Sequence, residues 1–131
     1  MQKEMRDTLE DRLYSHTLML LDYDLDGLVF DAGKASTLLP ILANAFGEEI
    51  CALTQEAFEE VKKGFIVLWQ AYRKWLDEKI EKLIQKQGAL MESYVKNAKD
   101  EQEEVDKLIA WIEKRFTLEN VCKYVGKKSY E

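Results

Sequence analysis

The residues whose types and spacing most suggest chemistry form one short string, Asp22-Tyr23-Asp24-Leu25-Asp26-Gly27-Leu28-Val29. Three carboxylates at alternate positions repel one another unless water or a hard cation offsets their charge. Asp22, Asp24 and Asp26, the main-chain carbonyl of Leu28 and the carboxylate of Asp31 are therefore the candidate metal ligands, and calcium is the cation such oxygens suit. The same alternation of Leu21, Tyr23 and Leu25 with aspartates, ending in Asp-Gly, describes a solvated acidic turn or a short β-hairpin. The turn or hairpin is the preferred reading, with a divalent-cation (calcium) site as the alternative.

The string resembles the first half of an EF-hand loop, with oxygens at positions one, three and five, Gly27 at six and the aliphatic Val29 at eight. Position nine is Phe30, and position twelve is Gly33 in place of the bidentate Glu. It is also similar to the nucleophile motif of haloacid dehalogenase-type phosphatases, a resemblance that implies Asp24 as nucleophile and Asp26 as acid. That family has Thr where this chain has Leu28, and it requires a parallel sheet. His16 is the single histidine, with Arg12 four residues before it. The pair resembles the ribonuclease motif of all-helical HEPN domains, at a narrower gap. One histidine supplies neither a Ser-His-Asp set nor two Glu-x-x-His pairs, and there is no Gly-rich phosphate loop. The expectation is a non-enzymatic protein with no resident cofactor other than the alternative calcium ion.

Aromatic residues are the other candidates. Trp69, Tyr72, Trp75 and Trp111 are the partner-binding candidates, because aromatic anchors carry much of the energy of protein interfaces. At helical spacing such residues also build cores. Charge is divided unevenly: residues 1–60 hold 4 basic and 13 acidic side chains, and residues 61–131 hold 15 and 12. The acidic N-terminal half repels phosphate backbones, so nucleic acid is discounted and another protein is the expected partner. The expected function is a protein-interaction or inhibitor module acting through that acidic half and an aromatic helix face.

The elements that must position these residues read as helices. An apolar stripe over Met5, Leu9, Leu13 and Leu20 predicts a first helix from about residue 3 to 20. A second is capped by Ser36 or Thr37, carries Pro40 in its first turn and stops at Gly47. Thr54 caps the longest seam, Phe58, Val61, Phe65, Leu68, Tyr72 and Trp75, which re-phases beyond Tyr72 as a coiled-coil stutter does. An unbroken helix over 55–97 would be about 64 Å long, against about 36 Å for the diameter of a compact chain of this size. Either it breaks, at Gly64 or preferably near Gly88, or the molecule is elongated and forms homo-oligomers through the projecting part. Asn97 to Lys99 reads as a link, since Asp100 and Glu103 have capping-box spacing, and it sets 101–116 antiparallel to 78–97. Thr117 caps a last helix through Tyr124, with Gly126 at its end.

With 131 residues, 47% of them hydrophobic and 34% charged, the chain suits one domain over 1–131. The predicted class is mainly α: a helical bundle or elongated helical hairpin, with a small β-hairpin or acidic loop near residues 22–33. No apolar run approaches the roughly 20 residues of a membrane span, and charges occupy Met1 to Glu10 where a signal peptide needs an apolar core. Cys51 and Cys122 are 71 positions apart without CxxC spacing, which predicts two buried thiols. A cytoplasmic protein without a membrane partner is expected.

Overall fold

Three threonines start helices. The Thr8, Thr54 and Thr117 hydroxyls accept from the main-chain N–H groups of Asp11, Ala57 and Asn120 at 3.2, 3.0 and 3.0 Å. Each satisfies a donor that the first turn of a helix leaves unpaired. The computed structural model describes the main chain of residues 8–22, 35–86 and 89–129 and the side chains of residues 8–20, 38–86 and 91–126. The helices are α1 (Leu9–Asp22), α2 (Ala35–Cys51), α3 (Gln55–Lys86), α4 (Ala89–Arg115) and α5 (Leu118–Ser129), and no strand occurs among the described residues. The fold is a mainly α helical bundle. The predicted hairpin or acidic loop falls on 23–33, outside the described residues.

The long seam parts where expected, with α3 ending at Lys86 and α4 beginning at Ala89 on either side of Gly88. The predicted link at 97–99 does not exist, because α4 runs through it. Asn97, Ala98 and Lys99 include no helix breaker, Ala98 is buried, and Asp100 pairs with Lys96 one turn back at 3.2 Å instead of capping a new start. α3 and α4 are antiparallel neighbours. Lys62 donates to the Glu113 carbonyl at 3.2 Å, Arg73 pairs with Asp106 at 2.6 Å, and the Gln102 amide donates to Asp77. α1 lies along α3 in the same direction, with Glu10 beside Gly64 and Thr17 beside Trp69. The α1–α2 packing is tied by a two-pronged Arg12–Glu49 ion pair, and hydrogen bonding from the guanidinium holds the Glu49 carboxyl below its ordinary range.

One core draws on all five helices. Phe116, at the α4–α5 junction, meets Phe58 and Phe65 of α3 and Trp111 of α4 at ring-centroid distances of 5.3, 5.6 and 6.0 Å. Leu13 of α1 and Leu38, Leu42 and Ile50 of α2 are fully buried in the same cluster. Burial of each such side chain contributes about 1.5–3 kcal/mol.

α2 and α5 form the second pair, and several expectations fail there. α2 begins at Ala35, ahead of the expected caps Ser36 and Thr37, and α5 runs past Tyr124 and Gly126 to Ser129. Gly47 does not stop α2, which continues to Cys51. A Cβ on Gly47 would lie 2.3 Å from Cγ2 of Val125, so this glycine gives α5 room to approach. The pairing also brings Cys51 and Cys122 to a Cα–Cα distance of 5.4 Å, and they form a disulfide instead of two thiols. Sequence spacing gave no sign of it, because the contact depends on α5 folding back over α2.

Reduction opens a loop of 71 residues and is expected to cost about 4 kcal/mol by loop-closure entropy. Urea melts with and without reductant measure this, and thiol titration of the unfolded oxidised protein should find no free thiol. Gly47→Ala should destabilise by about 1–3 kcal/mol, because Val125 is stiff at χ1. Gly64→Ala meets only the swingable Glu10 side chain at 3.0 Å and should gain up to about 1 kcal/mol of helix propensity. Equal effects from the two alanines would contradict the α2–α5 approach.

Candidate functional site

The predicted anchors separate into core and surface. Trp69 is fully buried and Trp111 is 7% exposed, so neither is a partner-binding residue in this fold, and the expectation for both is corrected. Trp69 lies beneath α1. Its indole N–H donates to the Thr17 hydroxyl at 3.1 Å, and that hydroxyl donates to the Leu13 carbonyl at 3.0 Å. Tyr14 meets the indole edge-on at 5.0 Å, and partial burial pushes its phenol pKa up. Arg73 does not stack on Trp69; it joins Asp106 and Asp77, and the hydrogen bond it donates to Asp106 holds its proton more tightly.

The other two anchors lie farther out on the same flank. Tyr72 bridges inside and outside, 5.4 Å from Trp69 and 5.6 Å from Trp75, and its hydroxyl donates to the Glu101 carboxylate on α4. Trp75 is 50% exposed, with the Lys79 ammonium 5.1 Å from its ring centroid. Next to this pair, Lys79 and Leu83 of α3 with Tyr94, Asn97, Ala98 and Glu101 of α4 line a groove of about 410 Å3. Tyr94 is 48% exposed.

Helix geometry explains why the flank opens here. α1 ends five residues past Thr17, about 7.5 Å along its axis, level with roughly one turn before Lys79. The outer part of the α3–α4 pair therefore lacks the helix that covers Trp69. The opposite flank is closed by polar ties among Arg73, Asp77, Gln102 and Asp106. A broader concavity over Ala43, Phe46, Gly47 and Val125 has no large exposed apolar side chain.

The candidate metal ligands are placed only in part. Asp22 is the last residue of α1, and Asp24, Asp26, Leu28 and Asp31 lie outside the described residues. His16 packs edge-on against Phe46 at 5.5 Å. Sequence reasoning did not weigh Leu83 and Ala98 as groove residues; the signal that marks them is spacing, with Leu83 two steps of four beyond Trp75 and Ala98 one step of four beyond Tyr94. Compared with protein-family models, curated proteins and solved structures, the chain finds no significant match.

The two kinds of tryptophan should respond differently to substitution. Thr17→Val leaves the buried Trp69 N–H without an acceptor and should cost about 1–3 kcal/mol. Trp75→Ala removes a half-exposed ring and its Tyr72 and Lys79 contacts but gains helix propensity, and should cost no more than about 1 kcal/mol. Urea denaturation measures both, and a comparable loss in the two variants would contradict the placement.

Proposed function

We propose that this chain is a non-enzymatic protein-binding module whose contact surface is the outer flank of the α3–α4 pair, centred on Trp75, Tyr72 and Tyr94. The observation that carries this reading is a half-exposed tryptophan beside a groove, on the flank where α1 has ended. Isolated surface apolar residues are ordinary, but a Trp and a Tyr flanking a concavity are the composition of an interface core. The reading narrows the expected surface from the acidic half and an aromatic face to the aromatic face. On α2, Glu49 is engaged by Arg12 within the fold.

The bridge between Cys51 and Cys122 bears on where such a module works. Structural disulfides persist in oxidising compartments and are rare in reducing ones, so the cytoplasmic expectation loses the thiol argument that supported it. No described helix is long and apolar enough to cross a membrane.

A photo-cross-linking side chain at Asn97, on the groove, and a second at Lys107, away from it, test the surface in the source cells. The expected result is a protein adduct from position 97 alone, displaced by excess wild-type protein and not by the Trp75→Ala/Tyr94→Ala variant. Adducts in equal yield from both positions, or displacement by that variant, would sink the proposal.

A further inference from the structure

We infer that the occupant of this groove is an acidic amphipathic helix of a partner protein, laid along α3 as a continuation of the path that α1 takes. The inference rests on the reading of the groove as a protein-binding surface and adds the chemistry of what it binds. α1 already shows what this flank accepts: a helix running with α3, its Tyr14 and Thr17 turned into the contact with Trp69. Past the end of α1 the same face of α3 continues through Tyr72, Trp75, Lys79 and Leu83, at three- and four-residue steps. A face that packs one helix offers the next helix the same ridges and apolar anchors.

Lys79, Lys82 and Lys86 recur at steps of three and four, so they form one row on the Trp75 side of α3. Among the described residues the ion pairs are made by Arg12, Arg73 and Lys96, and these three lysines make none. Glu101, the acid among the groove's lining residues, lies on the α4 side and accepts the Tyr72 hydroxyl. A groove edged on its α3 side by a row of exposed ammonium groups favours a helix with carboxylates beside its apolar stripe. It disfavours a basic one, and like-charge juxtaposition is an effective means of rejection.

Two synthetic helices of about 18 residues serve as probes, long enough to fold on contact. Both carry leucines at 3–4 spacing; one has glutamates at the other positions and its sister has lysines. Binding to the oxidised full chain is followed by calorimetry. The acidic peptide should bind at least about ten-fold more tightly than its sister, a difference of about 1.4 kcal/mol. The preference should vanish or invert in Lys79→Glu/Lys82→Glu/Lys86→Glu, whose far-UV circular dichroism should match the wild type because all three residues are exposed. Trp75→Ala should weaken the acidic peptide.

Equal or tighter binding of the lysine peptide overturns the inference, as does failure of the acidic peptide to bind. If the cross-link from Asn97 forms as expected in that case, the groove reading survives and only its chemistry falls. Two results would assign other occupants and also overturn it. One is a wild-type dimer in sedimentation that Trp75→Ala abolishes. The other is acidic-peptide affinity that rises about ten-fold or more when Asp22, Asp24, Asp26 and Asp31 are changed to Asn, which would give the groove to this chain's own acidic segment.

Discussion

A helix of 32 residues cannot be covered along its length by partners of 14, 17 and 12 residues, and this mismatch governs the molecule. At 1.5 Å per residue α3 is about 48 Å long and α1 about 21 Å. The shorter helices gather at one end, where Phe116 joins Phe58, Phe65 and Trp111 and where the disulfide fastens α5 to α2. Among the described residues, only α4 accompanies α3 to the other end. The groove is the direct product of that geometry, since an apolar face designed by its periodicity to be packed continues beyond the helix that packs it.

Trp69 and Trp75 make the point within one helix. They lie six residues apart and are linked through the ring of Tyr72. Trp69 meets α1, finds an acceptor for its N–H in Thr17 and is fully buried. Trp75 lies beyond α1 and keeps half its surface in solvent, its ring shared with a lysine. The same residue type is core or surface according to where a neighbouring helix stops.

That dependence also decides what was legible in the sequence. Signals completed within a few residues read correctly: Thr54 and Thr117 as caps, the seam from Phe58 to Tyr72, and the break near Gly88. Asp100 with Glu103 has the letters of a capping box, but Lys96 one turn earlier and the absence of a breaker let the helix continue. Gly47 has the appearance of a stop and is a point of close approach to Val125. The pairing of Cys51 with Cys122, and the division of Trp69 and Trp111 from Trp75, depend on contacts between helices distant in sequence, which local pattern does not encode.

The central claim is that the outer α3–α4 flank stands open while the rest of the aromatic seam is closed. Quenching of tryptophan fluorescence by acrylamide and iodide tests it most directly, using variants that keep one tryptophan each, with phenylalanine at the other two positions. The account predicts that Trp75 is quenched readily, as a half-exposed indole should be, while Trp69 and Trp111 are strongly shielded. Equal shielding of Trp75 and Trp69 would contradict it, because the flank would then be covered in the isolated protein.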